Sequence, residues 1–344
     1  WLYAFRQGQA NYRGAHGFLF ANRHLDPFFE SVCLRLFSRA LATRRDVQGL
    51  LRWARPQLVL TNSEVSFPNR MLVLEANHQK IPTMGIIHSG LNQMHYRDFQ
   101  SGRMFVWGQV HLQDMVRVLK VSASRIEPLG NPQYDTFACS AEGGDDSRRG
   151  DGCRPPRVLA VTALSPWHTS YINLRQQELA WGELARLPES GVQLVVKPHP
   201  RFDDLAFYRS LPHQLPDWQE VRPGIAVAAS AFLEQVLPTC DLVVVPGSPT
   251  TGALEAMLCR KPVVYVRCSE SEAPFSNSLA PGCLVVDRVE EILPAILALC
   301  RQPELRSEVV RRGQDYLDTF LGARDGLATQ RLARAIARLV GSRP

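Results

Sequence analysis

Short hydrophobic runs alternate with longer segments of helical periodicity along most of the chain. The runs are continuous rather than alternating with polar residues, which is typical of strands buried on both faces of a sheet. They predict strands at 57–61, 82–87, 104–107, 126–129, 157–162, 193–196, 241–245, 262–266 and 284–286. The periodic segments predict helices at 30–54, 69–79, 111–119, 171–187, 232–237, 251–258, 289–300, 303–320 and 326–340. Strands that alternate with helices indicate parallel sheets with right-handed crossovers.

A segment without apolar periodicity separates two such series. Residues 140–156 read SAEGGDDSRRGDGCRPP, a composition that is typical of a linker. We therefore predict an α/β protein of two doubly wound, Rossmann-like domains with a cleft between them: an N-terminal domain at 1–139, the linker at 140–156 and a C-terminal domain at 157–344. The sequence does not begin with Met, so we expect that part of the first domain can be missing from it. Ligands of open α/β sheets bind at the carboxyl ends of the strands, where we expect the site.

The bulk composition narrows the classes of function. The 344 residues are 45% hydrophobic and 21% charged, which is typical of a soluble protein with enough apolar residues for two cores. Lys and Arg outnumber Asp and Glu by 39 to 33, a mild excess that suits a ligand carrying phosphate. The basic residues are scattered and lack interleaved aromatic residues, so we expect no nucleic-acid partner. The eight cysteines include no CxxC pair and no metal-ligand spacing, so we predict a reducing compartment, no metal and no other cofactor.

The sequence also bears on the cellular location. No apolar run reaches the length of about 18 residues that would span a bilayer, so we expect a cytoplasmic protein. The helix predicted at 30–54 carries Arg35, Arg39, Arg44 and Arg52 beside apolar residues. Peripheral contact of this helix with the inner face of the membrane is an open alternative to a solvated helix face.

A basic motif follows the strand predicted at 193–196. Residues 197–200 read KPHP, so Lys197 and His199 lie at the carboxyl end of a buried parallel strand. The prolines on both sides of His199 restrict the backbone and thereby direct the imidazole. An imidazole N–H can donate a hydrogen bond to a phosphate oxygen, and Lys197 and Arg201 add positive charge. We predict that Lys197, His199 and Arg201 bind the phosphates of the ligand.

A turn of small residues follows the strand predicted at 241–245. Residues 246–252 read PGSPTTG and lead into a helix that begins near Thr251. A helix start offers unpaired N–H groups and the positive end of the helix dipole to an anion. Gly247 allows close approach of the backbone, and Ser248, Thr250 and Thr251 supply hydroxyl groups. We predict a second part of the phosphate site here, with capping of the helix by one hydroxyl as the alternative.

Glu255 lies one helical turn after Thr251, on the same face of the predicted helix. A carboxylate at this place can accept hydrogen bonds from the hydroxyl groups of a ribose. We predict that Glu255 binds the ribose of a nucleotide, and a solvated helix position is the alternative.

These parts resemble a known group of enzymes. The order of a strand followed by KPHP and a strand followed by PGSPTTGALEAMLCRKPVVYV resembles the donor half of bacterial GT-B transferases that build capsule, lipopolysaccharide or teichoic acid. The group includes CDP-glycerol glycerophosphotransferases, capsular Kdo transferases and HP-motif sialyltransferases, and the resemblance covers roughly residues 82–340. It implies that His199, Ser248, Thr250 and Thr251 hold the donor phosphates and that Glu255 holds the ribose.

The first half of the chain adds candidates for the catalytic base. His88-Ser89-Gly90 follows the strand predicted at 82–87 and resembles the His–Gly element that supplies the base in teichoic-acid polymerases. His titrates near neutral pH, which suits His88 to accept the proton of an acceptor hydroxyl. The first half lacks the acidic Asp/Glu-Asp-Gly base of the sialyltransferases, and Glu64 is a candidate acidic substitute. Residues 130–135 read GNPQYD and resemble an element that closes the first domain in this superfamily, which we interpret as a turn before the linker.

We therefore predict a metal-independent GT-B glycosyltransferase of polysaccharide biosynthesis. It would move a sugar or glycerol phosphate from a CMP-, CDP- or UDP-linked donor to a hydroxyl of a surface glycan or glycolipid. An enzyme resembling UDP-N-acetylglucosamine 2-epimerase is the first alternative, because that family shares a Gly-Asn-Pro element and a stretch similar to Arg267, Glu270 and Glu272. Its Asp-Ser-Gly-Gly turn is replaced here by PGSPTT. The second alternative is a non-catalytic nucleotide-binding module of a larger synthase.

Overall fold

The computed structural model describes residues 19–20, 23–24, 26–64, 66–87, 96, 98–140, 154–161, 174–198, 224–228, 232–247, 250–268 and 279–341. In chain order the strands are β1 (Leu19–Phe20), β2 (Arg23–His24), β3 (Val59–Thr61), β4 (Thr83–Ile86), β5 (Arg103–Val106), β6 (Ile126–Pro128), β7 (Arg157–Val161), β8 (Gln193–Lys197), β9 (Ile225–Val227), β10 (Leu242–Pro246), β11 (Val263–Val266) and β12 (Leu284–Val286). The α-helices are α1 (Asp26–Ala54), α2 (Phe67–His78), α3 (Gln109–Arg117), α4 (Asp135–Ser140), α5 (Leu174–Ala185), α6 (Leu233–Val236), α7 (Thr251–Leu258), α8 (Ile292–Arg301), α9 (Pro303–Phe320) and α10 (Ala328–Gly341).

The second half of the chain builds a six-stranded parallel sheet in the order β12-β11-β10-β7-β8-β9. Counted from β7, this is the 3-2-1-4-5-6 order of a doubly wound sheet, and the winding changes direction between β7 and β10. Successive side chains of a strand point to opposite faces of the sheet. Leu159 and Val243 therefore pack in the core on one face, and Val158 and Leu242 pack in the core on the other face. Helices α5 and α8 cover the second of these faces, and α7 and the end of α9 cover the first.

The first half builds a four-stranded sheet in the order β3-β4-β5-β6, with every pair parallel. Helices α1 and α2 pack over β3 through Val47, Leu51 and Ala76. The opposite face of the sheet presents Met84 and Phe105, and α10 covers it through Ala335 and its apolar neighbours. The predicted α/β class with two parallel sheets is therefore confirmed. The domain ranges stay predictions, since most of the linker at 140–156 lies outside the described residues and α10 packs on the first sheet.

The GNPQYD segment at 130–135 docks this last helix. Asp135 caps α10, because its Oδ1 accepts a hydrogen bond from the Ala328 N–H at 3.0 Å and its Oδ2 accepts one from the Thr329 N–H at 2.7 Å. Gly130 has a φ of +90°, and a Cβ at that position would lie 2.9 Å from the Cβ of Ala328. The segment is therefore more than the turn before a linker. Its partner lies 193 residues further along the chain, which is why the local sequence pattern did not indicate the contact.

Removing this cap is expected to destabilise the fold measurably. Asp135→Ala leaves two N–H groups at the start of α10 without acceptors, so we expect the free energy of unfolding to fall by about 1–2 kcal/mol. Asp318→Ala is a matched control, because Asp318 is exposed and only pairs with Arg324 on the surface. Its expected cost is below about 0.5 kcal/mol. Urea denaturation of the two variants measures both values, and equal stabilities would contradict the capping role of Asp135.

An aromatic cluster joins the cores of the two sheets where the chain leaves α9. Trp107 and His111 on the side of the first sheet pack edge-on against each other, and the His111 ring centre lies 4.5 Å from that of Phe320. A Cβ at Gly108 would overlap the carbonyl of Phe320, so glycine permits this close approach. Burial lowers the pKa of His111 to about 3, so its ring is neutral at physiological pH. Trp107 also donates a hydrogen bond from Nε1 to the carbonyl of Ile87 at 3.1 Å, which anchors the end of β4.

Among the residues that the structure describes, no helix combines the length and the hydropathy needed to cross a bilayer.

Candidate functional site

The candidate site lies where the second sheet changes its winding direction. Lys197 is the last residue of β8, and it pairs in register with Val161, the last residue of β7. β10 lies on the other side of β7 and ends at Pro246, directly before Gly247. The carboxyl ends of these three parallel strands meet at one edge of the sheet. The structure therefore brings Lys197 and the turn that leads into α7 to the place where doubly wound sheets bind ligands.

The start of α7 has unpaired polar groups. Thr250 occupies the capping position with an extended backbone, φ −123° and ψ 155°, but its hydroxyl makes no capping hydrogen bond. The Thr250 Oγ1 atom is buried and has no hydrogen-bond partner among the described residues. Capping by the Thr250 hydroxyl is thus not observed, and Ser248, another hydroxyl of the predicted capping alternative, lies outside the described residues. Buried polar atoms nearly always have partners, so Thr250 Oγ1 and the first N–H groups of α7 are suited to receive an anion.

Glycines set the distance between this turn and the sheet. Gly247 has a φ of +102°, a conformation that side chains with a Cβ rarely adopt. A Cβ at Gly252 would lie 2.6 Å from Cγ1 of Val161, so α7 begins almost in contact with the end of β7. Only glycine allows this closeness without displacement of the helix. The start of α7 is therefore held close to the edge of the sheet.

Gln177 on α5 supports the same turn and was not predicted from the sequence. Its side chain is only 1% exposed, and its Nε2 donates a hydrogen bond to the carbonyl of Pro246 at 3.1 Å. A Cβ at Gly247 would lie 2.8 Å from this nitrogen. One signal could have indicated Gln177, since it shares a helix face with Ala180 and Trp181, which are fully buried. A polar residue in an apolar stripe needs a buried partner, and here the partner is the turn.

Glu255 lies on α7, one turn after the start of this helix. Its side chain is half-buried, and burial, with a smaller contribution from the nearby Glu234 carboxylate, raises the pKa of Glu255 to about 7. Burial raises the pKa of the Tyr134 hydroxyl, in the 3-10 helix that follows β6, and the charge of Glu255 adds to this effect. Such a carboxylate is ionised above neutral pH and can then accept two hydroxyl hydrogen bonds.

Lys197 is placed as the sequence predicts, at the exit of β8. The residue is only 7% exposed, and its Nζ donates a hydrogen bond to the carbonyl of Pro198 at 3.0 Å. The contact directs the ammonium group toward the KPHP segment. Its positive charge at the carboxyl end of the strand is compatible with the predicted binding of a phosphate.

Glu64, the candidate acidic base, follows β3, and hydrogen bonds hold its carboxylate. The residue is 3% exposed, and its Oε2 accepts a hydrogen bond from the Gln100 N–H at 2.6 Å. Its Oε1 accepts hydrogen bonds from the N–H and the hydroxyl of Ser101, at 3.1 Å and 2.5 Å. These three hydrogen bonds anchor the segment before β5, and the catalytic role of Glu64 stays a prediction.

The remaining candidates lie outside the described residues, so their roles stay predictions: His88, His199, Arg201 and Ser248. The same holds for Glu270 and Glu272, which support the alternative enzyme class. Arg267, the third residue of that stretch, follows β11, and its Nε lies 3.4 Å from Oδ1 of Asp287.

Comparison with solved structures identifies the type of fold. No family model matches the sequence, and neither does any curated protein sequence. Among solved structures, S. aureus MnaA with bound UDP superposes with a TM-score of 0.60 at 14% identity, over 90% of this chain and 84% of that one. UDP-GlcNAc 2-epimerase of Methanocaldococcus jannaschii, solved with UDP-GlcNAc and UDP, gives a TM-score of 0.54 at 13% identity, over 86% and 80% of the two chains. A glycosyltransferase of Rickettsia africae gives 0.56 at 10% identity, over 89% and 82%. At these identities the likeness shows the fold, which is the two-domain, Rossmann-like GT-B type.

Proposed function

We propose that this chain is a glycosyltransferase that uses a nucleotide-activated sugar, with UDP as the first nucleotide to test. The observation that carries the proposal is the uncapped start of α7 at the winding switch of the second sheet, with Glu255 one turn further along the same helix. A helix start binds the diphosphate, and a carboxylate one turn away is within reach of the ribose. UDP is favoured over the CMP and CDP donors because similar folds have been solved with UDP.

The proposed reaction is attack of an acceptor hydroxyl on the anomeric carbon of the donor. His88, at the exit of β4, takes the proton of that hydroxyl as the bond to the sugar forms. The bond from the anomeric carbon to the phosphate oxygen breaks, and the nucleotide leaves. The N–H groups of α7, with Lys197 and His199, stabilise the negative charge that develops on the leaving phosphate. The acceptor is a hydroxyl of a glycan or glycolipid, and a role in surface polysaccharide synthesis is the proposed context.

A sugar-nucleotide 2-epimerase is the second candidate. The fold of M. jannaschii UDP-GlcNAc 2-epimerase favours it, as does the GNP segment at 130–135. Epimerisation requires a group that removes the proton from a sugar carbon. Glu64, the carboxylate that follows β3, is already held by three donors and is poorly suited to that task.

A turnover assay separates the candidates. The protein is incubated with UDP-glucose, UDP-GlcNAc and CMP- or CDP-linked donors, with and without a glycan acceptor, and the products are separated by chromatography. Release of free nucleotide that depends on the acceptor is the expected result. An epimerised sugar with the nucleotide still attached would favour the second candidate. Binding of nucleotide without any turnover would leave a non-catalytic nucleotide-binding module.

A further inference from the structure

We infer that the outward face of α1 is a docking surface for a lipid bilayer with anionic headgroups. This outward face is the side of α1 that points away from α2, and basic and large apolar side chains are exposed on it: Arg35, Arg39, Arg45, Leu50, Arg52 and Trp53. The surface belongs to the first half of the chain, so docking on it is independent of the nucleotide site proposed above.

The contacts between α1 and α2 fix which side of α1 faces outward. Val47 and Leu51 are buried and pack in one core cluster with Ala76 of α2. Arg44 lies on the same inner side, because its Nε donates a hydrogen bond to Oε1 of Glu75 on α2 at 2.6 Å. At 3.6 residues per turn, the residues of the outward face lie on the half of the helix that is turned away from these contacts.

Two apolar side chains of the outward face are unusually exposed. Trp53 is 83% exposed and Leu50 is 48% exposed. Exposure of a side chain as large as tryptophan leaves much apolar surface in contact with water. A tryptophan ring is favoured at the boundary of a bilayer, where the ring meets the acyl chains and its N–H stays among polar headgroups. The carboxyl end of α1 therefore presents a residue type that suits a membrane interface.

The arginines give the outward face a positive charge that an anionic surface would complement. Arg35, Arg39, Arg45 and Arg52 are all exposed, and within the described part of the chain none of them forms an ion pair. Asp46 is the one acidic residue in the sequence from 35 to 54. Arginine side chains can place their guanidinium groups among anionic headgroups while their methylene groups lie against apolar neighbours.

The distribution of these side chains favours a bilayer over a second copy of this chain. From Arg35 to Arg52 the basic side chains extend over about 25 Å along the helix axis, at a rise of 1.5 Å per residue. In a symmetric dimer the same face would meet itself and bring like charges together. A bilayer offers negative charge along the whole helix and an apolar layer for Trp53.

The experiment measures binding of the whole chain to vesicles of two compositions, phosphatidylcholine alone and an equal mixture of phosphatidylcholine and phosphatidylglycerol. Sedimentation separates bound from free protein and gives the lipid concentration at half binding. Two variants alter the outward face: the double variant Arg39→Glu with Arg52→Glu, and the single variant Trp53→Ala. Thermal melts first establish that each variant folds like the wild type.

Matched controls carry the same chemical changes elsewhere. The double variant Arg301→Glu with Arg334→Glu lowers the net charge by the same amount, at exposed positions on α8 and α10. Helix α10 covers the opposite face of the first sheet from α1. Leu179→Ala shortens an apolar side chain on α5 that is 42% exposed.

The wild type should bind the mixed vesicles and not phosphatidylcholine alone, and binding should weaken as salt is added. The double variant of α1 should need roughly tenfold more lipid or more for half binding, because repulsion replaces attraction at two positions. Trp53→Ala should need about fivefold more, because less apolar surface enters the bilayer. Both controls should stay within about twofold of the wild type, as expected for exposed positions away from the bilayer.

Three results would overturn the inference. The first is a folded wild type that does not sediment with the mixed vesicles. The second is an equal loss of binding in the two double variants, which would show an effect of net charge and not of this face. The third is a wild-type dimer in light scattering that Trp53→Ala converts to a monomer, which would assign the face to a second copy. Because no nucleotide is added, each of these results leaves the proposed function untouched.

Discussion

Replacing Gly247 with alanine is expected to weaken UDP binding by tenfold or more, about 1.4 kcal/mol of binding free energy. Gly247 has a φ of +102°, and an added Cβ would lie 2.8 Å from Nε2 of Gln177. The methyl group therefore strains the backbone and pushes against the side chain that holds the carbonyl of Pro246. Both effects displace the turn that aims the first N–H groups of α7. Calorimetric titration of UDP measures the loss.

Gly191→Ala is the matched control for this prediction. Gly191 also has a left-handed backbone, with a φ of +74°, but a Cβ there would meet no atom within 4 Å. It follows the 3-10 helix Leu187–Ser190 and precedes β8, away from the carboxyl ends of the strands. Backbone strain should lower the free energy of unfolding by about 1 kcal/mol in both variants, and the contact with Gln177 adds to the cost of Gly247→Ala. Only Gly247→Ala should weaken UDP binding. Equal affinities of the two variants would contradict the placement of the phosphates at the turn after β10.

Replacing Glu64 is expected to have the largest effect on stability. Glu64→Ala leaves the N–H groups of Gln100 and Ser101 and the hydroxyl of Ser101 without their acceptor in a buried place. We expect the free energy of unfolding to fall by about 3 kcal/mol, because each unpaired buried donor costs on the order of 1 kcal/mol or more. Glu64→Gln should also destabilise the fold, since an amide NH2 would face N–H donors. Urea denaturation with comparison of the m-values measures both effects.

The control for Glu64 is a carboxylate of the same sheet that lies on the surface. Glu127 on β6 forms an exposed ion pair with Arg338, so Glu127→Ala should cost less than about 1 kcal/mol. The Glu64 variants also separate a structural role from a catalytic one. A Glu64→Gln protein with wild-type stability and no turnover would contradict the structural role and restore Glu64 as a candidate base.

The sequence pattern predicts the strands of the second sheet well for a physical reason. A strand buried on both faces must be apolar at every position, as in Leu242–Pro246 and Val263–Val266, and few other structures produce such runs. Short elements at the edge of a sheet lack such a continuous apolar run. β9 (Ile225–Val227) is a half-buried edge strand and was not predicted. α2 begins at Phe67, before the predicted 69, because Ser66 caps it and a proline follows in the first turn.

The features that the sequence did not predict depend on contacts between residues that are far apart in the chain. The apolar stripe of α10 predicts one buried face but cannot specify which sheet it covers, and Met84 and Phe105 of the first sheet are its partners. Local sequence also cannot indicate the capping role of Asp135, because the residues that it caps lie at the other end of the chain. For the site, the strand exits and the turn at Gly247 follow from local patterns. The anchoring of Glu64 and the support from Gln177 depend on side-chain packing that no local pattern encodes.

A nucleotide that binds at the start of α7 should raise the melting temperature of the wild-type chain, and thermal melts with added nucleotides measure this effect. The panel is UDP, CDP, CMP and, as a purine comparison, ADP. A ligand at a hundred times its dissociation constant stabilises the fold by about 2.7 kcal/mol. This should raise the melting temperature by roughly 5–10 °C. We predict such a shift with UDP or a cytidine nucleotide. No shift with any of the four, in a protein shown to be folded, would contradict it.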